Sequence, residues 1–314
     1  MSLVVPVGVA ALLELLVGDP PTRLHPVAWF GRVVGPLDRD CSVPVVVGTL
    51  GTVTLTLGAA GVAAGLVVVA GSRTPLAAAL VAGAVLFLST SLRRLLGAAR
   101  AVVAASDSDV ESAREGLLAL AGRDADDLPP GHIRSAAVES SAENLADGLL
   151  APLAGFVLAA TLATGVGAPA LPLAAAAAAW VKAVNTMDSM LGYRSKPVGT
   201  PAARLDDAVM WLPARLSAVA LAVALGSVGV LGRVRPWLDG VPSPNSGWPM
   251  GVAAAALDVR LEKPGVYVLN PDAPLPDVAR ARRGVRGVGI AGVLTYALAG
   301  LSMAALDAEV PVWF

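Results

Sequence analysis

The sequence predicts an all-α fold: a polytopic, membrane-embedded helical bundle whose polar loops form the site. Three observations carry that prediction. Of the 314 residues, 55% are apolar and only 15% are charged, far from the balance of an ordinary soluble domain. The mean hydropathy is +0.69. Several apolar runs approach the roughly 20 residues that a helix needs to cross about 30 Å of hydrocarbon. The whole chain, 1–314, reads as one membrane-embedded domain. Its net charge of -1 argues against a nucleic-acid partner, which needs a basic face. Cys41 is the only cysteine, so there is neither an internal disulfide nor a cysteine metal cluster. His25 and His132 are too few for a histidine-rich zinc site.

The first expected element is a helix over 3–17. It lacks the positive start of a signal peptide, since the first basic residue is Arg23, and so reads as retained. Glu14 within it should face protein rather than lipid. The proline-stiffened "GDPPTRLHPVAWFGR" (18–32) follows, offering Asp19, Arg23 and His25. Further spans are expected at 43–70, 76–92, 149–165, 169–184, 212–231 and 287–306. Glycine and alanine dominate them, which suits close helix approach in a bilayer. The run Ala174–Ala179 shows no amphipathic period, as for a helix buried all round.

Polar segments lie between the spans at 93–148, 185–211 and 232–286. The first carries Arg93, Arg94, Arg100, Arg114, Arg123 and Arg134; the last carries seven arginines from Arg233 to Arg286, with Lys263. The positive-inside tendency makes both cytoplasmic, in a multi-pass protein of the cell membrane. A crossing helix at 212–231 would separate the last segment from 185–211, which is also basic. The conflict disappears if 212–231 does not cross fully, or if the stretch around 248–257 dips in and returns. Pro264–Pro276 reads as extended loop.

Four clusters could carry chemistry. In "VESSAENLADG" (138–148), Glu139, Glu143 and Asp147 recur every four residues, with Asn144 adjacent. A helix stacks them on one stripe, where like charges repel by about 0.2–0.5 kcal/mol per pair. Converging carboxylates suit Mg²⁺, a hard cation that prefers oxygen; a solvated acidic face is the plainer alternative. In "KAVNTMDSMLGY" (182–193), Lys182, Asn185, Ser189, Gly192 and Tyr193 share a helix side with Asp188 at its edge. Such groups are expensive to leave idle at the end of a membrane helix, although snorkelling and capping would also place them there. In "ARLDDAVMWLPARL" (203–216), Asp206 and Asp207 either share a cation from a loop or divide capping and binding between them. Arg204 and Arg215 offer guanidinium forks for phosphate or carboxylate. "SPNSGWP" (243–249) is a rigid turn that either grips a large planar ligand through Asn245 and Trp248 or anchors Trp248 at the interface. Neither a G-x-x-x-x-G-K-[ST] loop nor a G-x-S-x-G elbow occurs.

Taken in order, "GDP…HPV…GR", "VESSAENLADGLLAPL", "KAVNTMDSMLGY", "ARLDDAV…PARL" and "SPNSGWP" resemble the membrane-bound adenosylcobinamide-phosphate synthases of cobalamin biosynthesis, the CobD/CbiB family. The resemblance runs from Gly18 to about Arg260. Met210 departs from it, standing where the family commonly has a polar residue. The resemblance implies a ligase that joins aminopropanol, usually as its O-phosphate, to the free propionate of adenosylcobyric acid. It also implies ATP and Mg²⁺. On that reading Glu139, Glu143, Asp147 and Asp207 are the metal candidates, and Asp188, Asp206 and Asp207 hold a second ion or orient the amine. Asn144 and Asn185 join the catalytic set, while Lys182, Arg204 and Arg215 neutralise phosphate. Asp19, His25, Ser189, Tyr193, Asn245 and Trp248 line the substrate. The partners are corrinoid, aminopropanol phosphate and membrane lipid, and a homo-oligomer is compatible with the sequence.

Two other classes compete. A transporter would also keep intramembrane carboxylates, but these acids cluster near span ends and the spans form no paired halves. A lipid head-group transferase needs Ala-Arg soon after Asp-Gly, whereas Asp147-Gly148 leads into "LLAPL".

Overall fold

Proline sets where several helices start, because its ring fixes φ near the helical value and its missing N–H costs nothing in the first turn. In the computed structural model, which describes residues 2–39, 41–121, 127–193 and 195–309, α1 spans Val4–Leu16. α2 (Pro26–Val34), α3 (Pro44–Gly71) and α4 (Pro75–Ser89) each open on a proline. α5 (Leu92–Ser108) and α6 (Val110–Ala121) follow, and Arg123 of the expected basic segment lies outside the described residues. α7 (Pro130–Leu145) runs through a π turn, Ala146–Leu150, into α8 (Ala151–Gly165) and then α9 (Ala170–Leu191). α10 (Thr200–Val209), α11 (Trp211–Ala224), α12 (Arg235–Leu238) and α13 (Gly247–Leu257) come next. An antiparallel hairpin, β1 (Leu261–Lys263) and β2 (Tyr267–Leu269), precedes the long α14 (Val278–Glu309).

Among the described residues, five helical stretches are long and apolar enough to cross a membrane: Pro44–Gly71, Pro75–Ser108, Pro130–Gly165, Ala170–Leu191 and Val278–Glu309. α10 and α11 make a sixth only as a pair broken at Met210. The helix expected over 3–17 forms, but its 13 residues reach only about 20 Å at 1.5 Å per residue, short of the hydrocarbon thickness. α11 has 14 residues and falls short for the same reason. α13 is shorter still and buried along nearly all its length, so the apolarity of 248–257 serves protein packing. Residues 93–121 and 130–148 are helical rather than loop, whereas 232–286 alternates short helices with turns and a hairpin. Pro264–Pro276 is also not all loop: Gly265, at φ 73°, turns the chain so that Tyr267–Leu269 pairs as β2.

The chain gathers into two compact units. One comprises Met1–Ser91, Ala151–Val209 and Tyr296–Phe314; the other comprises Leu92–Leu150 and Met210–Thr295. In the first unit α9 is the hub, with α2, α3, α4, α8 and α10 packed on it and α1 on α4. α3 turns a narrow stripe inward, with Gly48, Thr52, Thr56, Ala63 and Val67 buried. Its remaining faces expose Val46, Leu50, Leu57, Val62 and Val69, a surface suited to lipid. Glu14 is buried, as a carboxylate on an apolar helix requires. Asp307, near the end of α14, accepts the backbone N–H groups of Leu3 and Val4 at 2.8 and 3.2 Å. It thereby caps α1 from 304 residues away.

In the second unit α5, α6 and α7 pack on one another, and α7 also meets α13 and β1. Glycines let α14 approach α5 closely: a β-carbon at Gly292 would lie 2.5 Å from Leu92, and one at Gly289 would lie 3.3 Å from Leu96. Asn270, in left-handed backbone, donates its side-chain amide to the carbonyl of Val259 just beyond α13.

Candidate active site

In the first unit the candidate residues gather at the C-terminal end of α9. Val34, Met187, Leu191 and Ala202 form a buried cluster with Phe30, Leu37, Leu55 and Met190 packed on it. This cluster fixes the ends of α2, α9 and α10. Asn185 is buried, while Lys182, Asp188, Asp206 and Asp207 are half-buried and Arg204 is exposed. Asp188 from α9 and Asp207 from α10 are close enough for the negative charge of one to bear on the other. Repulsion of that kind is what a bound cation would offset.

Glycine shapes the turn beside them. A β-carbon at Gly192 would stand 1.9 Å from Asp188 Oδ1 and 2.7 Å from its carbonyl oxygen, so the Asp188 carboxylate occupies the space a side chain would fill. At Gly199 a β-carbon would meet the Leu191 carbonyl at 1.7 Å, and at Gly48 the Val198 carbonyl at 1.9 Å. The turn after α9 is thus held by direct backbone packing. Lys196 Nζ meets Asp38 Oδ2 at 2.6 Å and lies 5.2 Å above the Tyr193 ring.

Several expectations change in detail here. Asp206 and Asp207 sit inside α10 rather than on a loop, and neither caps α11, whose N-cap is Met210. Tyr193 falls beyond the end of α9 and is exposed, so it does not extend the Lys182–Ser189 side. Ser189 donates its hydroxyl to the Asn185 carbonyl at 2.9 Å. His25 caps α2, accepting the Val27 N–H at Nδ1, and Asp19 is half-buried in the turn before it.

The second unit splits the acidic stripe. Glu139 is fully buried on α7. It accepts hydrogen bonds from Ser135 Oγ at 2.6 Å and from the Tyr267 hydroxyl at 2.5 Å. Ser135 Oγ in turn accepts the Glu262 N–H at 2.8 Å, and the Glu262 carboxylate reaches His132 Nε2 at 2.7 Å and Arg260 Nε at 3.1 Å. Glu139 therefore ties α7 to the hairpin. Glu143, Asn144 and Asp147 are half-buried instead. Asn144 donates its amide to the Ser140 carbonyl at 2.9 Å. Asp147 lies in the π turn, so its angular offset from Glu143 differs from the regular four-residue stack. Pro152 explains that turn: it cannot donate to the carbonyl four residues back and its ring would strike it, and widening the turn relieves the clash.

Arg215 is fixed on α11. Its Nη1 donates to the Trp211 carbonyl at 2.7 Å and to Asn245 Oδ1 at 2.8 Å. Its guanidinium carbon lies 4.5 Å from the Trp211 ring centroid and 5.3 Å from that of Trp248. Trp248 and Asn245 thus hold a cation in place, a role between the planar grip and the interfacial anchor. Among the described residues, no three His, Cys, Asp or Glu side chains gather to hold a metal ion by themselves. A divalent ion here would take one or two carboxylates and complete its shell with water or phosphate oxygen, as Mg²⁺ commonly does.

Sequence reasoning missed Tyr267, Ser135, Glu262 and Trp211. Trp211 was legible, four residues before Arg215 on one helix face. The others act across more than a hundred residues and leave no local signal.

A family model described as CobD/Cbib protein matches residues 7–295. Curated relatives agree with it. A protein of Methanothrix thermoacetophila named probable cobalamin biosynthesis protein CobD is 34% identical over 93% of this chain and 94% of its own length. The cobalamin biosynthesis protein CobD of Klebsiella pneumoniae is 35% identical over 82% of each chain. No solved structure matches.

Proposed function

The chain belongs to the CobD/CbiB family of cobalamin biosynthesis, and on that premise we propose that it is an adenosylcobinamide-phosphate synthase. It joins (R)-1-aminopropan-2-ol O-phosphate to the free propionate of adenosylcobyric acid as an amide, with ATP and Mg²⁺. A carboxylate and an amine do not condense at neutral pH without activation. Phosphoryl transfer from ATP turns the propionate into an acyl phosphate; attack by the amine then forms the amide and expels inorganic phosphate, leaving ADP.

The observation that carries the reading is the Asp188–Asp207 pair, two half-buried carboxylates from separate helices whose charges bear on one another, with Asp188 seated against Gly192. These two residues would hold Mg²⁺, which supplies charge neutralisation at phosphoryl oxygens. Asn185, buried beside them in the α9 sequence, offers an amide to orient substrate. In the second unit Arg215 offers the guanidinium edge left over from its bonds to Trp211 and Asn245, a preorganised donor for phosphate. Glu143 and Asp147 keep half-exposed carboxylates that can receive the ammonium proton of the amine.

The test is purified protein in detergent with adenosylcobyric acid, aminopropanol phosphate, ATP and Mg²⁺, followed by mass spectrometry. The expected result is a corrinoid heavier by the aminopropanol phosphate less water, formed only when ATP is present. Unchanged adenosylcobyric acid under conditions where the protein stays folded would overturn the reading.

A further inference from the structure

α14 opens with four arginines and no acid between Val278 and Arg286, then carries no charged residue until Asp307. Arg282 and Arg286 are exposed and lie four residues apart, on one helix face. Gly289 continues that face, and the space its side chain would occupy lies 3.9 Å from Nη2 of Arg100, which reaches across from α5. Arg100 is itself exposed. Three guanidiniums therefore follow one strip, and among the described residues no carboxylate pairs with any of them. Arg283 is set apart from them, donating to the Leu225 carbonyl at the end of α11. Just past Gly289 the same helix exposes Ile290, Val293 and Leu294, at 42%, 61% and 41% of their surface.

We propose that Arg100, Arg282 and Arg286 form a docking site for the phosphate headgroup of an anionic phospholipid, whose acyl chains lie along Ile290, Val293 and Leu294. The switch from cations to exposed aliphatic side chains within two turns matches the two ends of a lipid. Like charges four residues apart on one strip repel, and a phosphodiester offsets them with forked hydrogen bonds. A soluble anion would use the arginines but leave the adjoining apolar strip unexplained. The proposal is independent of the chemistry assigned to the acids.

The experiment reconstitutes the full chain in nanodiscs of phosphatidylcholine with or without phosphatidylglycerol and identifies retained lipid by native mass spectrometry. Wild type is expected to retain phosphatidylglycerol in preference, less so as salt rises. Each arginine near an anionic surface contributes about 1 kcal/mol, so R100Q/R282Q/R286Q should lower the preference roughly a hundredfold. R100K/R282K/R286K keeps the charge and should retain most of the preference, which separates lost charge from lost fold. Equal retention of both lipids by wild type, or an undiminished preference in the glutamine variant, would overturn the proposal. So would loss of ATP binding in the glutamine variant with lipid preference intact, which would assign the arginines to a soluble phosphate.

Discussion

At the scale of single residues, Asp188 depends on a neighbour that has no side chain. Gly192→Ala removes no functional group, yet its new methyl would take the place of Asp188 Oδ1. A misplacement of about 1 Å in a reacting constellation costs on the order of a hundredfold. Steady-state turnover of Gly192→Ala should fall by about that factor, and the melting temperature should fall as well, because the same methyl crowds the Asp188 carbonyl oxygen. Asp188→Asn and Asp207→Asn keep the shape and remove the charge, and each should cost turnover on the order of a hundredfold or more at limiting Mg²⁺, since a held cation supplies several kcal/mol of charge stabilisation. Glu143→Gln should also abolish most activity in a folded protein; near-normal turnover would remove the α7 acids from the mechanism. The sequence draws attention to these acids because carboxylates are scarce and costly in an apolar chain. That Glu139 differs from Glu143 was not legible. Its partner Tyr267 lies 128 residues away, and no four-residue spacing encodes that bond.

At the scale of elements, the hairpin is tied to α7 by the His132–Glu262 contact and by a relay, Glu262 N–H to Ser135 to Glu139, with Tyr267 as the second donor to the Glu139 carboxyl group. Tyr267→Phe leaves a buried carboxylate short of a donor and should destabilise by about 1.5–3 kcal/mol, the range for hydrogen bonds to charged groups. Ser135→Ala breaks two bonds at once and should cost a similar amount. Because both changes strip the same carboxylate, the double variant should depart from additivity by at least about 0.5 kcal/mol in denaturant titrations. Strict additivity would show that the two bonds act independently. The long helices were readable from apolar runs and from prolines at their starts. Three-residue strands and a single π turn are too short to leave a period, and only Pro152 marks the latter.

At the scale of the molecule, α3 is the clearest crossing, with 28 residues spanning about 42 Å. Only its narrow inner stripe is covered by protein. In a Cys41→Ser background, cysteines at Ser42 and Ser72 should react with an impermeant maleimide from opposite sides of sealed vesicles. Labelling of both from one side would contradict a crossing α3. Seven apolar runs were readable in the sequence, but among the described residues five helices qualify by themselves. Hydropathy measures composition, whereas crossing also demands length, and α1, α11 and α13 are apolar because protein packs on them or because they lie at its edge. Charge parity leaves two readings of the sequence, a 212–231 stretch that does not cross fully or a dip around 248–257, and the break at Met210 falls just before the first of these.

The most direct measurement of the central claim is the Mg²⁺ dependence of amide formation by wild type, Asp188→Asn and Asp207→Asn. If these two carboxylates hold the ion, both variants should need far more Mg²⁺ for half-maximal rate, with turnover partly restored at saturation. Rates and Mg²⁺ requirements matching wild type in both variants would show that the ion is held elsewhere and that the site assigned to α9 and α10 is wrong.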